Sequence, residues 1–376
     1  MRKIVFNTPS VTEIERLYVG EAMASTKHAG DGPFTKRCQR FFMDRYGFGQ
    51  ALLTTSCTDA LELSALLLGI GPDDEVILPS FTFVSSANAF ALRGAKLVFA
   101  DSETDNPNVS AEAIAALVTP RTRVIVVVHY AGVACDMDPI MALAARHGIA
   151  VVEDAAQAVD SYYKSRPLGG IGTMGAFSFH ETKNLSSGEG GLFVTSDPHF
   201  AQRAEILREK GTNRSAFFRG EIDKYGWVEV GSSFLPSDIL AAYLAGQIDR
   251  LDEIQARRKA IWNDYRNRLT AVIDYGVTLP HVPAYATNNA HMFYLVCADL
   301  DQRTRLIAHL RERGIQAPFH YLSLHASPFF HARHDGRSIP NSDRYTECLL
   351  RLPLHLGLSD DDVAYVADTV IEGLRS

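Results

Sequence analysis

The chain has 376 residues, more than one ordinary hydrophobic core holds, so two or three domains are expected at roughly 150 residues per domain. Its 44 acidic residues exceed its 37 basic ones, for a formal charge of −7 with no basic block, which excludes the electrostatic footprint of a nucleic-acid binder. No apolar run approaches the ~20 residues that span a bilayer, and Met1-Arg2-Lys3-Ile4-Val5-Phe6 runs into Asn7-Thr8-Pro9, not into a longer apolar stretch, so a cytoplasmic protein without a membrane contact is expected.

In chain order, Thr12-Glu13-Ile14-Glu15-Arg16-Leu17 opens one helix and 34–46 forms another, with the turn-rich Lys27-His28-Ala29-Gly30-Asp31-Gly32-Pro33 between them. From Ala51, apolar strands at 51–54, 75–78, 95–100, 123–129 and 149–153 alternate with segments of helical period. That is the pattern of a mainly parallel sheet covered on both faces. A helical run with few breakers extends over 238–269, and the domain boundary is expected inside it. It divides a large α/β domain, residues 1–250, from a smaller C-terminal α/β domain, residues 251–376. The smaller one reads as strand at 291–297, helix at 302–313, a stop at Gly314, strand at 316–320 and a final helix at 360–374. Five cysteines (Cys38, Cys57, Cys135, Cys297, Cys348) are scattered without a C-x-x-C spacing, so free thiols are expected and no metal site.

The stretch richest in chemistry runs from Gly175 to Gly191. Its first residues alternate small and aromatic like a strand, a single lysine, Lys183, follows, and Gly188, Gly190 and Gly191 allow close backbone approach before Leu192-Phe193-Val194 starts another strand. A lone lysine at a hairpin end often only reaches out to solvent. On a sharp turn between buried strands, however, its ammonium is desolvated, its pKa falls, and the neutral amine needed for Schiff-base chemistry becomes accessible. Upstream, Ile149-Ala150-Val151-Val152-Glu153-Asp154 is an apolar strand ending in carboxylates, as a buried parallel strand does where it meets a ligand. An aspartate and a lysine at adjacent strand ends, 29 residues apart, fit pyridoxal phosphate, one holding the pyridinium nitrogen and the other carrying the aldehyde carbon.

Two further stretches fall in the same register. Thr54-Thr55-Ser56-Cys57-Thr58-Asp59 ends the first sheet strand and begins a helix, the kind of terminus that takes a phosphate and equally the pattern of a plain N-cap. Pro79-Ser80-Phe81-Thr82-Phe83-Val84 follows the next strand, so Phe83 is available either to stack on a flat ring or to join the core.

Together, Glu153-Asp154-Ala155-Ala156-Gln157, Ser178-Phe179-His180-Glu181-Thr182-Lys183 and Gly188-Glu189-Gly190-Gly191 resemble the DegT/DnrJ-type nucleotide-sugar aminotransferases, within fold type I of the pyridoxal phosphate enzymes. The resemblance covers nearly the whole chain and implies a large mainly parallel sheet domain with a smaller C-terminal α/β domain. It implies Lys183 as the Schiff-base lysine, Asp154 at the ring nitrogen, Phe83 stacked on the ring, Gln157 near the phenolic oxygen, and Cys57, Thr58 and Ser178 at the phosphate. Three segments, 179–184, 208–215 and 231–235, with Asp223-Lys224-Tyr225, are similar to the branch that forms dTDP-4-amino-4,6-dideoxygalactose from dTDP-4-keto-6-deoxyglucose and L-glutamate. Most relatives carry an asparagine and an arginine where this chain has Ser233 and Leu235; that asparagine reaches the neighbouring subunit's cofactor phosphate, and the branch shares the departure.

By the same resemblance His180, Glu181, Asn184, His320, Tyr321 and His325 lie near the substrate. Arg208, Lys210 and Arg214 offer positive charge for its diphosphate, though a solvated basic helix end would look the same. A homodimer with shared active sites is implied, and the apolar 224–234 segment, with Tyr225, Trp227, Val228, Val230 and Phe234, calls for a partner surface. The alternatives are amination of another nucleotide keto-sugar, at C3 or with an equatorial C4 product, and a sugar dehydratase of the same fold. In such dehydratases histidine replaces the lysine, so Lys183 argues against that reading.

Overall fold

Alternating apolar side chains build the central sheet of the computed structural model, which describes residues 2–375. Its strands are β1 Gln50–Thr54, β2 Glu75–Pro79, β3 Lys96–Ala100, β4 Thr122–Val128 and β5 Ala150–Asp154 and, after a small hairpin of β6 Tyr162–Tyr163 and β7 Arg166–Pro167, β8 Met174–Ser178 and β9 Gly191–Thr195. The spatial order is β1-β9-β8-β5-β4-β2-β3, with β9 antiparallel to both of its neighbours and the other pairings parallel. In β4, Val124 and Val126 enter one core while Ile125 and Val127 enter the other, because side chains alternate along a strand and both faces are covered.

The helices in chain order are α1 Glu13–Ala24, α2 Pro33–Tyr46, α3 Cys57–Leu67, α4 Ser85–Ala91, α5 Ala111–Ala115, α6 Met137–His147, α7 Pro198–Arg208, α8 Arg214–Phe218, α9 Asp238–Asp249, α10 Leu251–Arg268, α11 Leu300–Glu312, α12 Pro340–Cys348 and α13 Asp360–Arg375. Phe42 of α2, Leu143 of α6 and Leu244 of α9 fill one face of the sheet; Leu61 of α3, Phe90 of α4 and Leu207 of α7 fill the other. A third cluster gathers Phe293 and Leu295 of β10 Phe293–Val296, Leu350 of β11 Leu349–Leu352, and residues of α10, α11 and α13. Phe81 and Tyr130, from loops that follow β2 and β4, join this third cluster and so bring it against the carboxyl edge of the sheet.

Two expectations about elements need correction. The helical run over 238–269 is two helices that turn at Arg250. No glycine or proline marks the break; the Arg250 guanidinium reaches Glu15 of α1 and Glu253 of α10, each at 3.0 Å, a tertiary tie that local sequence does not announce. The strand expected at 316–320 is absent as well. Ile315 bridges Ile4 and Phe319 bridges Leu350, each singly, because Pro318 between them has no amide hydrogen and the segment passes from one partner to the next. All five cysteines are free and buried, and among the described residues no helix is long and apolar enough to cross a membrane.

Candidate active site

The ends of β4, β5 and β8 and the loop after β2 open onto one cavity of about 720 Å³, at the edge where open parallel sheets take their ligands. Asp154, the last residue of β5, is 5% exposed; its Oδ2 accepts from Ser86 Oγ at 2.6 Å and its Oδ1 from the Ala156 amide at 3.1 Å. Its neighbour Glu153 points to the opposite face, as strand alternation requires. There it is fully buried, 2.9 Å from His129 Nε2, and accepts from the amides of Gly169, Ile171 and Gly172 at 2.5–2.7 Å. Only one of the two carboxylates ending this strand therefore reaches the cavity.

Lys183 sits in the loop that joins β8 to β9. The loop is closed by Phe179 N donating to Gly190 O at 2.8 Å and Glu181 N to Gly188 O at 2.9 Å, and Gly188 supplies a φ of 80° for the return. The lysine amide donates to His180 O at 2.9 Å, and the half-buried side chain lines the cavity. Burial pulls its ammonium pKa down against the opposing influence of Cys57 and Asp154, and the Arg351 guanidinium adds to the lowering.

At the start of α3 the Ser56 side chain caps the helix by accepting from the Asp59 amide at 3.1 Å. The amides of Cys57 and Thr58 have no partner among the described residues, as expected of a first helical turn, and both residues line the cavity. Gly191 lies against this turn: a Cβ on it would stand 2.3 Å from the Ser56 carbonyl and 2.5 Å from Cys57 N, so β9 must begin with glycine. Thr58 Oγ1 donates to Ser85 Oγ at 2.7 Å. Burial raises the Cys57 thiol well above its ordinary pKa, so it stays protonated.

Ser178, His180, Phe83, Gln157, His320 and Tyr321 also line the cavity. Phe83 is 54% exposed despite its size, with its ring 6.0 Å from that of Tyr321. Gln157 accepts from the Ala131 amide at 2.6 Å and donates to Tyr321 Oη at 3.2 Å. The His320 Nδ1 lies 3.1 Å from Tyr130 Oη.

The other sequence candidates lie elsewhere in this chain. Glu181 is exposed and uses its carbonyl, which accepts from Asn7 Nδ2 at 3.0 Å; Asn184 is buried behind the wall; His325 is buried against Ser80 Oγ at 2.8 Å. Lys210 and Arg214 converge on Glu209 at 3.3 and 3.4 Å, and Ser233 is an exposed residue bridged to that glutamate. Arg208 is 2% exposed, paired with Asp31 and donating to Leu53 O at 2.8 Å, which commits it to holding the fold.

Residues 9–371 match the model of the DegT/DnrJ/EryC1/StrS aminotransferase family. The chain belongs to that family. It is similar to an aminotransferase, TlmJ, from Streptoalloteichus hindustanus at 34% identity, over 100% of this chain and 99% of that one, with a TM-score of 0.92. It is similar to Spr1654 from Streptococcus pneumoniae, assigned as a sugar aminotransferase and solved in its PMP form, at 26% identity over 100% and 98% of the two chains, TM-score 0.92. DesV of S. venezuelae matches at 31% identity over 96% and 94%, TM-score 0.88.

The DegT/DnrJ family is PLP-dependent, and Spr1654 is known in PLP and PMP forms. The residues around the cavity fit that cofactor: two unpartnered amides at a helix start for the phosphate, a buried carboxylate for the ring nitrogen, an exposed aromatic face and one lysine amine. Sequence reasoning missed Ser86 under Asp154, and Arg351 and His291, which also line the cavity. Ser86 comes three residues after Phe83 on the same loop-to-helix turn, a signal that was present. Arg351 and His291 reach the cavity through β11 and the approach to β10, which local pattern does not connect to Lys183.

Proposed function

We propose that this enzyme transfers the amino group of L-glutamate to C4 of dTDP-4-keto-6-deoxy-D-glucose, giving dTDP-4-amino-4,6-dideoxy-D-galactose and 2-oxoglutarate. The observation that carries the reaction type is Lys183 and Asp154 on one cavity at the carboxyl edge of the sheet, in a chain of an aminotransferase family. The substrate is supported by the three segments 179–184, 208–215 and 231–235 that resemble the dTDP-4-amino-4,6-dideoxygalactose branch.

In this reading the amides of Cys57 and Thr58, with Ser178, hold the cofactor phosphate, Asp154 holds the proton of the ring nitrogen, Phe83 covers the ring and Gln157 lies at its phenolic oxygen. When bound, pyridoxal phosphate supplies an electron sink for the pair left by the broken C–H bond. Ser86 and the Ala156 amide keep Asp154 oriented by bonding to both of its oxygens. Lys183 Nζ removes the proton from the α-carbon of glutamate in the first half-reaction and delivers a proton to C4 of the sugar in the second. Its lowered pKa raises the share of neutral amine available for the first step.

The reading includes a homodimer with shared sites and a division of the chain into a large body, residues 1–250, and a small one, residues 251–376. The dimer is supported by Phe218, Trp227 and Val230, which are 68%, 80% and 64% exposed beside Ser233, Lys210 and Arg214. Those last three residues lie outside the cavity lined by Lys183 and Asp154, so a neighbour's site is the use they are proposed to serve. NMR of the product formed from dTDP-4-keto-6-deoxyglucose and glutamate tests the reading: an axial 4-amino sugar is expected, and a 3-amino, an equatorial 4-amino or a deoxygenated product would replace it with one of its rivals.

A further inference from the structure

The cavity that holds Lys183 also carries an imidazole whose proton is placed by the protein itself. His291 lines the cavity, is 8% exposed and is clamped through its backbone. Its amide donates to Asn289 Oδ1 at 3.0 Å, and its carbonyl accepts from Arg258 Nη2 at 2.6 Å. Asn289 is in turn fixed by donating to the carbonyls of Gln157 and Val159 at 2.8 and 2.9 Å. The ring Nδ1 lies 2.9 Å from Asn184 Oδ1.

The orientation of the Asn184 amide follows from its other partners. Its second terminal atom stands 2.8 Å from the backbone carbonyl of Asn289 and 2.8 Å from Gln255 Oε1. A backbone carbonyl only accepts, so the atom beside it is the NH2 group, and the atom facing His291 is the oxygen. That oxygen also only accepts, so Nδ1 of His291 carries the hydrogen. Burial, reinforced by the charges of Lys183, Arg258 and Arg351, holds the ring well below its ordinary pKa, so it has no second proton. Nε2 is left as a bare lone pair, and no described residue donates to it.

The Arg351 guanidinium in the cavity has only donors and can serve only acceptors, such as the carboxylates of an amino acid. A bare lone pair needs the reverse, a ligand that donates, and a carboxylate oxygen would be repelled by it. A sugar ring brings hydroxyl groups, which donate. We infer that His291 Nε2 accepts a hydrogen bond from a ring hydroxyl of the sugar substrate, with Asn184 as the positioning residue that sets its tautomer; this rests on the keto-sugar reading above. Asn184 thus acts on the substrate through His291 and does not touch it.

Two measurements on the cofactor-loaded enzyme test this. Long-range proton–nitrogen NMR on histidine-labelled protein, with His291→Phe identifying the signal, should show hydrogen on Nδ1 and none on Nε2; a protonated Nε2 overturns the inference. In kinetics, His291→Phe should raise KM for the keto-sugar roughly tenfold, the size of one hydrogen bond, with the loss confined to the sugar half-reaction. The wild type should show a similar loss for the substrate analogue lacking either the C2 or the C3 hydroxyl, and the variant should no longer distinguish that analogue. An equal loss in the glutamate half-reaction, or a wild type indifferent to both missing hydroxyls, overturns the inference. The analogue comparison needs no variant, so it decides the matter if His291→Phe does not fold. A wild type that takes the amino group from glutamate yet aminates no keto-sugar overturns the proposed substrate, a result distinct from these.

Discussion

On the sheet side of the cavity the polar side chains other than Lys183 are tied down by the protein, whereas on the side contributed by β10, β11 and their approaches two of them, His291 and Arg351, keep an open polar atom. Asp154 has partners on both oxygens, Ser56 caps α3, Thr58 bonds Ser85, and Gln157 is held between the Ala131 amide and Tyr321. On the other side, His291 Nε2 has no partner among the described residues, and Arg351, whose Nη2 donates to Phe319 O at 3.2 Å, leaves Nε without one there. Among the described residues the Arg351 guanidinium has no carboxylate within ion-pair distance; it rests on the Phe6 ring at 4.4 Å, and burial lowers its pKa. Groups fixed before any ligand arrives suit one that stays bound, since no side-chain freedom is lost when it binds. Unpaired groups suit a ligand that comes and goes. Lys183, free on the tied side, is the group that must move a proton.

The contrast can be broken by substitution. Lys183→Ala should lower kcat by about 10²–10⁴-fold or more while leaving the thermal unfolding midpoint within a few degrees, since the residue sits on a loop and not in a core. The visible absorbance of lysine-bound cofactor should vanish with it, and full activity would remove the lysine's role. Asp154→Asn should still bind cofactor but lose roughly 10²-fold in kcat, because a neutral amide does not hold the ring nitrogen's proton. On the open side the effect should move to KM: Arg351→Met is expected to raise KM for an anionic substrate at least tenfold, the size of a charged hydrogen bond, with a smaller change in kcat. A kcat loss as large as that of Asp154→Asn would erase the distinction between the walls. Smaller still, mixing inactive Lys183→Ala subunits with subunits impaired at Lys210 and Arg214 should restore part of the activity through hybrid sites. An active monomer in sedimentation would remove that proposal.

The same contrast marks what could be read from the chain alone. Strand positions on the sheet side came within a residue or two, because buried parallel strands are uninterrupted apolar runs and their ends are punctuated by Asp154, Pro79 and the glycines after Lys183. Within the 179–184 segment, position along the chain did not tell which side chains face inward: His180 and Lys183 line the cavity, Glu181 faces out and Asn184 faces back. Backbone hydrogen bonds across the loop decide that, and they involve Gly188 and Gly190 several residues on. The open side was the harder one. Arg351 stands in a strand that the sequence reading passed over, His291 was read only as the start of one, and the segment from Ile315 to Phe319 took its shape from single bridges to Ile4 and Leu350. Each of these placements depends on contacts between elements far apart in the chain, which no local period encodes.

The smallest expected effect follows from how the open side meets protons. Burial holds His291 and His320 well below their ordinary pKa, with nearby cations adding to it, and burial also lowers His355. In the unfolded chain each titrates near 6.5. Above that value both states are neutral and the rings contribute no pH dependence. As pH falls below it, the unfolded chain takes up protons that the folded one refuses, so stability is lost, by up to about 1.4 kcal/mol per pH unit for each ring, until the folded pKa is reached. Carboxylates held low in the folded state, such as Glu15 and Asp362, also cost stability on acidification, but only as pH falls past their ordinary range near 4. The window from pH 6.5 to 5 therefore reports on the histidines. Urea unfolding at pH 7.5 and 5.5 should show the loss, and His320→Phe or His291→Phe should each shrink it while leaving the carboxylate-driven loss at lower pH in place. An undiminished difference in both variants would mean that these rings take up protons in the folded enzyme, and the open wall would then carry hydrogen-bond donors where bare acceptors are expected.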